Sequence, residues 1–172
     1  MAMTTSPAPR SIHDHGDPVE RNRDLVRHYF AAIATSDLEA LESLLAPDLR
    51  MRCAGGKGTA KVVEFDSFAA LADDLRHNEG QLYDPAVGIQ PEILNLMAEG
   101  DRVAAEVRIR GLSAHTGATY DNLYAFFFWI RDGVIVEIHE HLDTAYVAST
   151  LLAPAGIAAG VDMPWLHTPR RR

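Results

Sequence analysis

The sequence predicts an α+β domain in which three N-terminal helices pack on one face of a curved antiparallel sheet, enclosing a cone-shaped cavity. Two observations carry this expectation. In the first half of the chain, apolar residues recur mainly at helical spacing, whereas from about residue 87 onward the period changes to two. Helices first and a long strand meander afterwards leave one sheet face to be covered, and the space between such layers commonly holds a small molecule.

The first helix opens at Asp17-Pro18-Val19-Glu20, where Asp17 can cap, Pro18 suits the first helical position and Glu20 completes a capping box. Leu25, Val26, Tyr29 and Ile33 then form its buried stripe. A second helix follows in TSDLEALESLLAP, with Ser36 and Glu39 as its box, Pro47 as its stop, and Leu38, Leu41, Leu44 and Leu45 inward. DLRMRCA alternates, placing Leu49, Met51 and Cys53 on one face of a half-buried strand. GGKGTAK lacks the spacing of a phosphate-binding loop and reads as a solvated turn. FDSFAALADDLRHN is a third helix with Phe68, Leu71 and Leu75 inward, and His77 suits the negative end of its dipole.

VGIQPEILNLM is a strand placed at an edge or made irregular by Pro91, and AEGDR turns it into VAAEVRIRG, with Val103, Ala105, Val107 and Ile109 inward. YDNLYAFFFWI and VIVEIHEHLD form a hairpin about Asp132-Gly133, and TAYVASTLL is a short helical cap. Residues 1–17 read as a disordered leader without a signal peptide, 18–152 as the domain and 153–172 as a tail.

A net charge of −8 argues against a nucleic-acid surface, and no apolar run approaches membrane-spanning length. Cys53 is the chain's single cysteine, which excludes an intrachain disulfide and favours the cytoplasm.

If Asp132-Gly133 is a two-residue turn, Arg131 pairs with Val134 and the last two strands sort by face. One face then carries Leu123, Ala125, Phe127, Trp129, Val136, Ile138, Glu140 and Leu142. The other carries Asn122, Tyr124, Phe126, Phe128, Glu137, His139, His141 and Asp143. A three-residue turn would shift the pairing by one and mix these sets.

On the first arrangement Glu140 is a lone carboxylate in an apolar wall. Desolvation would raise its pKa and poise it as a general acid or base; the alternative is a hydrogen-bonded, inert glutamate. Phe127, Trp129, Ile138 and Leu142 would shape the pocket. Tyr29 could orient a carbonyl or simply fill the core, and Cys53, with no base partner identifiable in the sequence, reads as a small hydrophobe lining the cavity.

His139-x-His141 after Gly133 matches the opening of a cupin metal motif, but no glutamate follows at the required gap and no second motif remains. A metal enzyme using His139 and His141, with Glu137 or Asp143 as third ligand, is therefore a third-ranked reading. No cofactor is expected. The exposed aromatics of the second face, Tyr124, Phe126 and Phe128, predict a homodimer.

The helix VRHYFAAIATSDLEALESLLAPD and the late YDNLYAFFFWIRDGVIVEIHEHLDTAYV together resemble the SnoaL-like, polyketide cyclase-like branch of the nuclear transport factor two-like superfamily. Asn122, Asp132-Gly133-Val134-Ile135 and His139-Glu140-His141-Leu142-Asp143-Thr144 carry the likeness over roughly residues 18 to 150. It implies the cone fold and a range of chemistries including cyclases, isomerases, dehydratases, epoxide hydrolases and non-enzymes.

Within that superfamily, the oxyanion tyrosine of ketosteroid isomerases falls on Tyr29. Their base falls near Cys53 and their second acid near Ala125, so both aspartates are missing. The acid/base glutamate of the phenazine-biosynthesis condensing proteins matches Glu140, and their partnering histidine comes from the region of Asp74 and His77. The resemblance thus implies a cofactor-free enzyme of secondary metabolism, acting on a small hydrophobic metabolite, or a binding module of the same fold.

Overall fold

The computed structural model describes residues 17–54, 62–152 and 154. The leader ahead of Asp17, the GGKGTAK turn from Gly55 to Lys61 and nearly all of the tail lie outside these residues.

Helix α1 (Pro18–Thr35) starts as its sequence dictates, with the Asp17 carboxylate accepting from the Val19 N–H at 3.0 Å. Glu20 does not reach back to close a capping box; its carboxylate accepts from Arg23 and Arg27 at 2.8 Å each. The helix ends at Ser36, whose φ of 53° is left-handed and whose N–H bonds Ile33 O at 3.1 Å. That reversal moves the next cap by one residue. Asp37, not Ser36, caps α2 (Leu38–Leu44), accepting from Ala40 N at 2.9 Å.

Strand β1 (Leu45–Ala54) follows directly and runs through Pro47, where the ladder is irregular between Leu45 and Arg50. The short strand β2 (Val62–Phe65) was not anticipated; it pairs antiparallel with β1. Ser67 caps α3 (Phe68–Asp74) through Ala70 N at 3.2 Å, and a wider turn at Leu75–Glu79 leads into α4 (Gly80–Leu82). Strands β3 (Gln90–Glu99), β4 (Arg102–Leu112), β5 (Thr119–Arg131) and β6 (Val134–Leu142) complete the sheet, and α5 (Thr144–Val147) continues helically to Leu152.

Among the described residues six strands form one sheet, in the order β2-β1-β6-β5-β4-β3. Only the β1–β6 pair is parallel; every other neighbour is antiparallel. β3, with Pro91, is an edge strand as expected, and its register shifts between Ile93 and Asn95. The helices cover one face of this curved, unclosed sheet, giving the α+β cone. The Asn22 side chain of α1 ties the helix to the β3–β4 turn by donating to Gly100 O at 2.8 Å.

The core lies between α1 and the inner sheet face. Val103, Ala105, Val107 and Ile109 are buried as expected. Phe30 meets the Phe126 and Phe128 rings edge-on, with centroids 5.1 and 5.9 Å away.

The β5–β6 hairpin corrects the predicted face assignment. Asp132 and Gly133 have φ of 52° and 81° and form the expected two-residue turn, and Arg131 pairs with Val134. A bulge then intervenes: Ile130 pairs with Ile135, but the next pair is Trp129 with Glu137, leaving Val136 as an extra residue. Beyond it the register is shifted by one, so Ile138, Glu140 and Leu142 share the inner face with Phe128, Phe126 and Tyr124. Tyr124, Phe126 and Phe128 are therefore buried core, and Leu123, Ala125, Phe127 and Trp129 point outward.

Candidate functional site

Two strands distant in sequence assemble the site. The parallel β1–β6 pairing sets Cys53 opposite Glu140, and the thiol donates to the Glu140 carboxylate at 3.0 Å. Sequence reasoning found no partner for Cys53 because the two residues are 87 positions apart in the chain. Cys53 and Glu140 keep partial solvent contact, as does Leu142, whereas Ile138 is fully buried. Although part of its side chain is accessible, the Glu140 carboxyl is enclosed by protein. Desolvation raises its pKa above the ordinary value, and the Cys53 hydrogen bond opposes part of that rise.

Diagonally across β5 lies a phenol cluster. Tyr120 and Tyr124 share a hydrogen bond of 2.6 Å, and Asn122 Nδ2 donates to the Tyr120 hydroxyl at 3.0 Å. Asn122 Nδ2 also reaches Asp143 O at 3.3 Å. Tyr83 packs edge-on against Tyr120 with centroids 5.6 Å apart, and its hydroxyl joins the network. Gly111, the β4 partner of Tyr120, makes room for that ring, since a Cβ there would stand 2.8 Å from Tyr83 Cδ1. Burial raises both Tyr120 and Tyr124, the latter well above the usual phenol range, and the Glu140 charge adds to both rises. Sequence reading placed Asn122 and Tyr124 outward and passed over Tyr120 and Tyr83. The available signal was the spacing of Tyr120, Asn122 and Tyr124, three hydrogen-bonding side chains on one face of a strand.

The remaining predicted site residues disperse. Phe127 and Trp129 lie on the outer face, opposite Glu140, because of the Val136 bulge. Tyr29 is inward but only 3% exposed, meeting Phe30 at 5.1 Å and Phe128 at 5.4 Å, edge to face. Asp74 is half-buried on α3. His77 is exposed on the turn beyond α3, its Nδ1 2.9 Å from Asp73 O and 3.1 Å from the Asp73 carboxylate.

His139 and His141 face outward as expected. His139 Nε2 is 2.7 Å from Glu137 Oε1 with its ring 4.5 Å from Trp129, and His141 approaches Phe127 at 6.0 Å. Asp143, offered as a possible third metal ligand, caps α5 through Ala145 N and Tyr146 N at 3.0 Å each. Among the described residues no three His, Cys, Asp or Glu side chains cluster in a metal-binding arrangement. No helix among them is long and apolar enough to cross a membrane.

The model of the SnoaL-like domain matches residues 26–138, from the buried stripe of α1 to the inner face of β6. The chain belongs to the SnoaL-like domain family.

Solved structures agree with this SnoaL-like chain in fold. An NTF2-like protein from Burkholderia xenovorans LB400 is 22% identical, with 79% of this chain and 99% of that one covered at a TM-score of 0.63. An LEH-like epoxide hydrolase from M. tuberculosis is 17% identical, covering 83% and 98%, with a TM-score of 0.63. Bal32a, from a soil-derived mobile gene cassette, is 19% identical, covering 76% and 95%, with a TM-score of 0.63. No curated protein sequence matches the SnoaL-like chain.

Proposed function

We propose that this protein is a cofactor-independent enzyme acting on a small, largely apolar metabolite, with Glu140 as general acid/base. The observation that carries the reading is the position of Glu140. Its carboxyl is enclosed by protein on the inner wall, in a residue that keeps partial solvent contact, and desolvation raises it above the ordinary carboxyl value, which favours taking and returning a proton.

A proton moved beside a carbonyl or imine would give cyclisation, isomerisation, dehydration or condensation. Ile138, Leu142 and Cys53 would line the pocket. Tyr29 would contribute its hydroxyl from α1, which Tyr29→Phe tests without disturbing the ring packing. Half-buried Asp74 on α3 is the remaining predicted contact that could reach a ligand, whereas His77 is exposed beyond it.

The test is turnover on a panel of small apolar ketones, β-hydroxy carbonyls and epoxides, followed by mass spectrometry. Glu140→Gln keeps shape and removes the base, and a loss of roughly 100-fold or more is expected. Unchanged turnover on an accepted substrate would exclude the role.

A second reading, a ligand-binding module without chemistry, is favoured by the near-complete burial of Tyr29 and the internally bonded phenol cluster. Ligand capture by both wild type and Glu140→Gln, with no product from either, would select it.

The homodimer expectation passes to a different set of residues. With Phe126 and Phe128 buried, the outer face still presents Leu94, Met97, Leu123 and Phe127 at 42%, 67%, 54% and 43% exposure. These residues lie on β3 and β5, with Ala104 of β4 between Met97 and Phe127, and such an apolar patch suits self-association of two copies.

A further inference from the structure

We infer that Cys53 is a positioning residue for Glu140, its thiol holding the carboxyl in one orientation from across the β1–β6 seam. The inference rests on the proposed acid/base role of Glu140 and deepens it.

Cys53 and Glu140 are Cα partners in the parallel ladder, so the relation between the two side chains is set by backbone pairing. The thiol donates to Oε2 at 3.0 Å, which occupies one acceptor site of that oxygen and orients the carboxyl, leaving Oε1 without this bond. Both residues keep partial solvent contact, placing the pair at the wall of the site.

The residue type matters. A buried carboxylate bonded to an arginine is held strongly in the charged form and makes a poor acid at neutral pH. An apolar neighbour would leave the carboxyl free to swing and fully subject to desolvation. A thiol is small, weakly polar and a weak donor, so it fixes the geometry while opposing desolvation only in part.

The surrounding ionisable groups do not duplicate this function. From β5, Tyr120 and Tyr124 feel the Glu140 charge, which raises both phenols, and Tyr83 belongs to their network; the hydrogen bond acting on Glu140 itself comes from Cys53. On the covering helices the ionisable side chains withdrawn from solvent near this face are Tyr29 of α1, Asp74 of α3 and Tyr146 of α5. His139, His141 and Glu137 lie on the opposite face.

The test uses a matched pair of variants with similar volume and strand preference. Cys53→Val removes the donor and Cys53→Thr restores one as a hydroxyl. The Glu140 carboxyl carbon is titrated by NMR in the full chain. The expected result is a Glu140 pKa higher in Cys53→Val than in wild type, and returned toward wild type in Cys53→Thr. An unchanged or lowered value in Cys53→Val overturns the inference.

A second measurement needs no substitution at Cys53. The chain has one cysteine, so its S–H stretching band in the infrared belongs to that residue alone. The band should move to the higher frequency of a weaker hydrogen bond when Glu140 is protonated, and in Glu140→Gln. A band indifferent to both also overturns it. Neither measurement reads turnover, so failure of the acid/base reading shows separately, as unchanged activity of Glu140→Gln.

Discussion

Cys53 and Glu140 stand opposite one another on the only parallel strand pair of the described sheet, joined by a thiol-to-carboxylate hydrogen bond of 3.0 Å. The bond offsets only part of the desolvation, so the net effect on Glu140 is a raised pKa. A chain that keeps a carboxyl there accepts a stability cost near neutral pH, a common signature of a group retained for chemistry.

That cost can be measured. The Glu140 carboxyl holds its proton more tightly folded than unfolded, so the folded state is favoured at low pH. Stability is lost as pH rises from the ordinary carboxyl value of 4.5 through the raised folded value. Glu140→Gln cannot lose this proton. The variant should be more stable than wild type at neutral pH, with a higher Tm. The pH-dependent part of the difference should vanish below the ordinary carboxyl range. Thermal melts of both proteins across pH check it, and a difference that grows on acidification contradicts it.

The phenol cluster should be structural as well as local to the site. The Tyr120 hydroxyl receives Asn122 Nδ2 at 3.0 Å and shares 2.6 Å with Tyr124, and its ring is fully buried. Tyr120→Phe keeps the ring and removes the shared oxygen, leaving buried polar partners to find new ones. A loss of about 1–3 kcal/mol in denaturant unfolding is expected. A neutral result would mean that the partners re-pair without it.

How far this fold could be read from the chain depends on whether local pattern or long-range pairing decides each feature. The start of α1, the β3–β4 hairpin with its buried Val103, Ala105, Val107 and Ile109, and the Asp132-Gly133 turn are local and legible. α2 and α3 are legible as elements, though Asp37 replaces Ser36 as the α2 cap, Pro47 lies in β1, and α3 ends at Asp74. Glu140 was legible too, since alternation after Val136 keeps it with Ile138 and Leu142. Which β5 residues join it was not. Both faces of YAFFFWI are apolar, so composition could not choose between Phe126 and Phe127, and one bulged residue reversed the answer. The signal for the bulge was Val134-Ile135-Val136 followed by Ile138, with Ile135 and Ile138 both buried although three apart. The pairing of Cys53 with Glu140 had no local signature at all, because a parallel strand pair joins segments far apart in sequence.

Gly111 is where β4 admits Tyr83. An added Cβ would meet Tyr83 Cδ1 at 2.8 Å and the Gly88 carbonyl oxygen at 3.1 Å. The ring could yield, but the carbonyl belongs to backbone, so Gly111→Ala should displace Tyr83 from Tyr120. Overpacking of this kind costs about 1–3 kcal/mol. Unfolding by denaturant checks the cost, and near-ultraviolet circular dichroism checks the tyrosine environment; a wild-type spectrum would exclude the displacement.

Adjacent phenylalanines on β5 give the sharpest test of the bulge. Phe128 is fully buried against Tyr29 and Phe30, whereas Phe127 is 43% exposed on the outer face. Without the bulge their environments would be exchanged. Phe128→Ala should cost about 3–5 kcal/mol through lost burial and a cavity that α1 cannot collapse. Phe127→Ala, measured at protein concentrations low enough to suppress self-association, should cost under about 1 kcal/mol. Denaturant unfolding of the two variants side by side decides it, since a larger loss at Phe127 would return the hairpin to an unbulged register and turn Phe127 toward Glu140. Sedimentation of wild type and Phe127→Ala at higher concentration then tests the proposed self-association: if two copies meet through this outer face, loss of the Phe127 ring should weaken their association without touching the core.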